Sequence, residues 1–364
     1  MAFRRLKLSD LTFGKPLAWD VFSAPSAKRP VLEKGALVAP DQLSLLETGL
    51  YAEAGVPASV LQSLNQINRR LERILMDLRD VASADTELRA IARELIDAVA
   101  RDENIALAAI FLNQIAGAYA IRHCTEAAIV VCLIARAMHK DPAELLIMAA
   151  AALTMNVGMV RQTEIFQGRD GALSNEERAI VRRHPTDSVD MLRWAGIADE
   201  AWLDLVLLHH ENEDGSGYPQ GRLGEEISQN AKLIGLADRY CAFVSARNYR
   251  RSLLPPMALA CLAGGSDMPV DPDLVAHFSA RIGAYPPGTL VRLANGETGV
   301  VFSGADQAGA LRVHVLRLSD GTPLALPEPR STADANCSIA EALHEDTARL
   351  RFTMQHIWGE LAAL

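Results

Sequence analysis

The sequence is poor in aromatics, has few cysteines and carries no excess of positive charge. Aromatic residues make up 5% of the 364 positions against 49% apolar residues in all, so a core must be built mainly from Leu, Ala, Ile and Val. The five cysteines (Cys124, Cys132, Cys241, Cys261 and Cys337) form no CxxC pair and no other zinc-like spacing. That scatter argues against a cysteine zinc site and for a reducing, cytosolic setting. The formal net charge of −9 disfavours binding to a nucleic-acid polymer, although a local basic pocket can still hold a small anion. The most apolar stretches, Ala127 to Ala135 and Leu145 to Met155, fall short of the roughly 20 residues a membrane helix needs. The basic N-terminus, MAFRRLKLSDLTFGKP, lacks the apolar run of a signal peptide. These absences predict a cytoplasmic protein with no membrane span.

What is present is mostly helical patterning. Residues 1–57 read as a small α/β leader module, with strand-like pieces and a short helix from Pro40 to Thr48. Residues 58–103 read as linker helices. Within them Leu61, Leu64, Ile67, Leu71, Ile74, Leu75 and Leu78 recur every three or four positions, a stripe that suits a homodimer seam or packing against its own domain. Residues 104–283 predict helices over 106–120, 125–139, 142–154 and 175–194, with Asp141-Pro142 and the Ser174–Glu177 capping box as start signals and a loop over 165–172. From 284 to 330 the texture is β, with Asn295-Gly296 as a hairpin turn, and a charged helix is predicted over 338–361 within a final segment, 331–364.

The densest chemistry lies in HHENEDGSGYPQG, from His209 to Gly221. Imidazoles and a carboxylate suit a first-row divalent metal, and Gly215 and Gly217 before Pro219 shape a tight loop. A plainer reading exists: paired histidines before Gly and Pro can simply close a helix. His123, His184 and Asp238 are further ligand types at helix positions, with His184 placed at a helix end by Arg182-Arg183-His184-Pro185.

In order, His123, Arg183-His184-Pro185, HHExxDGxGYPxG and Ala237-Asp238 resemble the HD-GYP family, metal-dependent phosphohydrolases that cleave cyclic di-GMP. The resemblance covers about residues 110–255 and implies a mainly α fold. That fold is an all-helical HD-type bundle flanked by the N-terminal α/β module and a small C-terminal β-hairpin or barrel-like extension. It implies metal ligation by His123, His184, His209, His210 and Asp238, and dinucleotide contacts by Arg247 and Arg250. It also implies a loop of Asp214, Gly215, Gly217, Tyr218 and Pro219 that in relatives is linked to diguanylate cyclase domains. Glu211 is placed behind the ligands, orienting a histidine.

One segment departs from the family. Where the family reads A-L-L-H-D-I-G-K, this chain has Ala152-Leu153-Thr154-Met155-Asn156-Val157-Gly158-Met159. The defining His-Asp pair is Met155-Asn156, the phosphate-contacting Lys is Met159, and a second family aspartate is Cys241. Asn156 has no charge to offset two cations about 3.5–4 Å apart, and a thioether suits iron or manganese poorly. No residue is therefore assigned as catalytic and a dinuclear centre is not expected. His184, His209 and His210 are left to hold one divalent ion (iron, manganese or zinc), with His123 and Asp238 a separate pair. The resulting expectation is a degenerate member that binds cyclic di-GMP or a signalling partner and hydrolyses little. An active phosphodiesterase with an altered or mononuclear metal centre, or an interaction module without ligand, are the alternatives.

Overall fold

The computed structural model describes residues 3–5, 17, 19–24, 26–27, 29–36, 50–53, 59–167, 173–245, 251–264 and 269–364. The predicted helix from Pro40 to Thr48, most of the predicted 165–172 loop, Arg247 and Arg250 lie outside the described residues. The chain divides into two units, Met1–Ala58 and Ser59–Leu364. The first holds strands β1 (Phe3–Arg5), β2 (Val21–Phe22) and β3 (Tyr51–Glu53) in an antiparallel sheet of order β1-β3-β2. Leu17, Val21 and Leu50 are buried in a small core of their own.

The second unit is mainly α. Its first helix, α1 (Val60–Met76), is capped by the Ser59 side chain, which accepts from the Gln62 amide. The stripe Leu61, Leu64, Ile67, Leu71 and Leu75 is buried in the same core as the helices that follow. The stripe is thus covered by its own unit, and the expected dimer seam is not available on this face. Two polar residues on α1 are buried as well, and they shape what comes later. Asn65 bonds the Gln114 carbonyl (3.1 Å) and the Ala116 amide (2.8 Å), while Asn68 donates to the Ala116 carbonyl (2.7 Å) and accepts from Thr125 (2.7 Å).

Those bonds explain a difference from the predicted pattern. After α2 (Ala84–Arg101), the helix expected over 106–120 is instead α3 (Glu103–Phe111), an irregular stretch, and then α4 (Tyr119–Ala137). The asparagines satisfy the backbone groups that a continuous helix would have satisfied itself. Gly117, at φ +125°, passes so close to Asn68 that a Cβ would lie 2.7 Å from its Nδ2.

Helix α5 (Pro142–Thr154) begins where Asp141 caps and proline occupies the first turn. Its alanines 149–152 are wholly buried, as are Ala127 and Ala128 of α4, so the two helices approach closely. The chain continues through a short 3₁₀ turn (Val157–Met159) into α6 (Val160–Gln167), so residues 165–167, expected in a loop, are helical. Among the described residues one helical path, Pro142–Thr163, is long and apolar enough to cross a membrane by length and composition, and 67% of its apolar window is buried inside this unit. Helix α7 (Asn175–Trp194) starts at the predicted capping box. His184 does not end it: Pro185 lies inside the helix, which runs on for nine more residues to Trp194. Helices α8 (Glu200–Leu208), α9 (Gln229–Val244), α10 (Pro255–Gly264) and α11 (Pro272–Ile282) complete the bundle.

A five-stranded antiparallel sheet follows, of order β7-β6-β5-β4-β8. It comprises β4 (Leu290–Leu293), β5 (Thr298–Ser303), β6 (Arg312–Arg317), β7 (Pro323–Ser331) and β8 (Ile339–Leu343). The Asn295-Gly296 turn forms as predicted, with Gly296 at φ +87°. The charged helix predicted over 338–361 does not form. Five of its residues, Ile339–Leu343, are β8, paired with β4 through Leu290↔Leu343 and Arg292↔Glu341, and the helical pieces that follow are short: α12 (Glu345–Ala348), α13 (Met354–Trp358) and a 3₁₀ turn (Gly359–Ala362). Strand pairing on a half-buried face overrides the helix preference of Ala, Glu and Leu.

Candidate metal centre

The site is assembled from four elements, and a sequence break in two of them fixes its chemistry. Pro185 has no amide hydrogen, so the Val181 carbonyl loses its helical partner. The His184 Nδ1–H takes that carbonyl instead, at 2.6 Å. Helix α8 ends at Leu208 and leaves its last carbonyls open. The His209 Nδ1–H takes the carbonyl of Val206 at 2.7 Å. A carbonyl only accepts, so both rings carry their proton on Nδ1 when neutral, and both Nε2 atoms present bare lone pairs. Those two Nε2 atoms face each other at 3.3 Å.

Two lone pairs so placed repel each other unless a cation lies between them. The separation is what two imidazoles show on one tetrahedral ion with Zn–N of about 2.0–2.1 Å. His210 closes the group: the ligand atoms of His184, His209 and His210 all lie within 4.8 Å of one another. The donor set therefore fits one borderline divalent ion.

Burial keeps the three rings neutral. His184 is pushed down to about 3 by burial and by the neighbouring His209. His209 is also lowered, mainly by burial, and His210 well below its ordinary value by burial and by His209. Unfolded, each would titrate near pH 6.5. The folded state thus binds fewer protons than the unfolded state below that pH. We expect the metal-free protein to lose stability as pH falls from about 6.5 towards 3, by up to about 1.4 kcal/mol per pH unit for each imidazole. Urea titrations at pH 7.5, 6.5 and 5.5 measure it; equal midpoints at 7.5 and 5.5 would contradict the assignment.

The second pair stands beside this triad. His123, in the first turns of α4, meets Asp238 of α9 at 2.7 Å from Nε2 to Oδ1, and both are buried. The other Asp238 oxygen is 4.0 Å from His210 Nδ1. Burial alone would raise the Asp238 carboxyl, but the hydrogen bond with His123 and the surrounding imidazoles outweigh it and hold it well below the usual carboxylate range. Tyr119 stacks on His123 with ring centres 5.5 Å apart.

The loop after the histidines is built by Glu211, and not as the sequence suggested. Among the described residues its carboxylate hydrogen-bonds no histidine; it accepts from three successive amides, Gln220 (2.7 Å), Gly221 (3.1 Å) and Arg222 (3.0 Å). This staples the far end of the loop to its start. Asp214 accepts from the Ser216 amide, and Gly215 sits at φ +76°. Gly217 is packed so tightly that a Cβ would lie 2.5 Å from the Asn212 amide. Tyr218 is folded back over the site, its ring centre 4.7 Å from that of His210, and the Tyr218-Pro219 peptide is cis. Arg182, exposed on α7, lies over the outer face of Tyr218 at 5.3 Å.

The replaced segment remains docked at the centre. Ser188 of α7 accepts from the Gly158 amide and donates to the Met155 carbonyl, both at 2.9 Å. Met155 is wholly buried and Asn156 is 4% exposed. The Asn156 Oδ1 is buried with no hydrogen-bond partner among the described residues. Met159 is half-buried on the following turn. Cys241, one turn on from Asp238, is a buried thiol raised well above its ordinary range by burial and by Glu126.

Three contributors escaped the sequence reading. Glu126, buried one turn after His123, pairs with Arg122 and is hydrogen-bonded by Ser245. Arg239, next to Asp238, donates to Asn212 at 2.5 Å and so ties α9 to the loop. Gly235 lets α9 cross directly over His209, where a Cβ would lie 2.2 Å from the His209 carbonyl oxygen. A glycine inside a helix was the available signal for that last contact. Gly235→Ala is expected to cost about 1–3 kcal/mol by overpacking and to lower metal occupancy. Denaturant unfolding with metal analysis reads both, and wild-type values for the variant would refute the close crossing.

These features define a helical domain with a histidine and carboxylate centre. Residues 86–274, more than half of the chain, match the HD domain family, and the chain belongs to it. Its HHExxDGxGYPxG run, from His209 to Gly221, resembles that of HD-GYP proteins within that family. The chain is 34% identical over 152 residues to cyclic di-GMP phosphodiesterase PA4108 of Pseudomonas aeruginosa, which covers 42% of this chain and 36% of that one. It is 30% identical over 146 residues to the cyclic di-GMP phosphodiesterase response regulator RpfG of Xanthomonas campestris pv. campestris, covering 39% and 38% respectively. The chain thus spans little more than a third of the length of these relatives. The solved structure of Bd1817, an HDG"Y"P protein from Bdellovibrio bacteriovorus, is similar in fold, with a TM-score of 0.52 at 12% identity over 77% of this chain and 99% of that one.

Proposed function

We propose that the chain is a degenerate HD-GYP protein of cyclic di-GMP signalling, which holds one divalent metal and binds the dinucleotide with little or no hydrolysis. The observation that carries this reading is Asn156. At the position of the family's aspartate it offers a neutral carbonyl, buried and without a hydrogen-bond partner among the described residues, beside the buried thioether of Met155. A second cation there would lack the carboxylate that position 156 supplies in the family to offset the charge of two ions. The triad of His184, His209 and His210 would hold the single ion, which when bound supplies Lewis acidity to a phosphate oxygen. Around it, Asp238 orients His123, Tyr218 closes one side of the site, and Arg182 offers a guanidinium fork to an anion.

A second reading is an active phosphodiesterase with a mononuclear centre. It is favoured by the relatives' activity and by the His123–Asp238 pair, which can hold or move a proton at Nε2. Calorimetry with cyclic di-GMP beside a hydrolysis assay in manganese or ferrous iron separates the two. The expected result is binding, one metal per chain and negligible turnover. Efficient turnover at neutral pH would establish the second reading. Absence of binding at high micromolar dinucleotide would leave a structural interaction module. Contacts with diguanylate cyclase domains through the 214–219 loop, and a cytoplasmic location, belong to the same proposal.

A further inference from the structure

A cleft of about 1380 Å³ lies between the helical bundle and the five-stranded sheet, and none of the histidines of the metal centre lines it. Its walls come from the end of α3, the segment before α10, the edge of the sheet and the turn between α12 and α13. The charge of the lining runs against that of the chain. Arg251, Arg317, Arg349 and Arg351 face it with only Glu345 and Asp346 as acidic neighbours, in a chain of net charge −9. Asp346 is already paired with Arg251 at 2.6 Å. Among the described residues no ion pair engages Arg317, Arg349 or Arg351.

Arg317 donates to the carbonyl of Arg349, which is held at φ +50°, a left-handed conformation that side-chain-bearing residues rarely adopt. The Arg317 Nε is buried without a hydrogen-bond partner among the described residues. A buried, unsatisfied donor on a cation is costly unless an anion meets it. The cleft is also lined by apolar side chains, among them the half-buried Phe111, Phe352, Leu253 and Leu254.

We propose that this cleft is a second ligand site, for a nucleotide, whose phosphates are taken by Arg317, Arg349 and Arg351 and whose base lies against the phenylalanines. Arginine's planar fork matches phosphate oxygens, and an aromatic face accepts any base by stacking. The site is independent of the reading of the histidine centre.

Calorimetry on the full, metal-free chain tests it, with GTP, ATP and inorganic pyrophosphate as probes. A nucleotide is expected to bind at least about tenfold tighter than pyrophosphate, because only it uses the apolar lining. The double variant Arg349→Glu, Arg351→Glu changes exposed side chains and is expected to weaken nucleotide binding at least about tenfold. Circular dichroism checks that the variant is folded, and the single change Phe352→Ala, leaving every charge in place, reads that lining separately. His209→Ala is expected to leave nucleotide affinity unchanged. The proposal fails if neither nucleotide binds at millimolar concentration, if pyrophosphate binds equally well, or if the loss follows His209→Ala and not the arginine pair.

Discussion

Restoring histidine and aspartate at positions 155 and 156 is expected to raise cyclic di-GMP hydrolysis by about 10³-fold or more and to raise the metal content from one to two per chain. The argument rests on what occupies the place now. Met155 is wholly buried and Asn156 nearly so, and the segment is clamped to α7 by Ser188, so the double variant Met155→His, Asn156→Asp would present its new groups from an already fixed backbone. The carboxylate would replace a lone amide oxygen that has no partner among the described residues, and its negative charge would offset a second cation beside the histidine triad. Metal analysis of anaerobically purified protein, beside a hydrolysis assay, measures both effects. Two metals in the unaltered chain would overturn the reading, because Asn156 would then be sufficient.

Removing the Glu211 carboxylate is expected to destabilise the second unit by about 3 kcal/mol or more. Three backbone amides that now donate to an anion would lose it at once, and hydrogen bonds to charged groups contribute about 1.5–3 kcal/mol each, though not additively. Glu211→Gln is expected to be only partly better than Glu211→Ala, since its amide nitrogen would turn a donor towards donors. The loop effect should be local as well as global. Hydrogen exchange at Gln220, Gly221 and Arg222 is expected to accelerate before the core helices respond. Unchanged exchange at those three amides would show that the carboxylate does not hold the loop.

Much of the helical frame was legible because its signals are local. Asp141-Pro142 and Ser174–Glu177 satisfy amides two or three residues away, so the starts of α5 and α7 follow from neighbours in the chain. The Asn295-Gly296 turn is equally local. The failures lie where partners are distant in sequence. The break after Phe111 depends on Asn65 and Asn68, nearly fifty residues upstream. Strand β8 depends on β4, whose pairing turns a helix-prone segment into an edge strand. Glu211 was read as a partner of histidine because its sequence neighbours are histidines, whereas its hydrogen-bond partners lie nine to eleven residues on.

For the site itself, the residue types and the loss at Met155-Asn156 were decided by the sequence alone, since donor chemistry belongs to a side chain wherever it lies. The tautomers of His184 and His209 were also latent there, in a proline after one histidine and a helix end before the other. Only the tertiary structure decided that these two rings, on different helices, meet at 3.3 Å through their bare Nε2 atoms. It alone brought His123 and Asp238 together at 2.7 Å, left the Asn156 oxygen buried without a partner among the described residues, and gathered arginines into a second cleft. The physical reason is the range of the forces concerned. Caps and turns are closed by groups a few bonds apart, whereas lone-pair repulsion, desolvation and charge complementarity act between groups that only packing brings together.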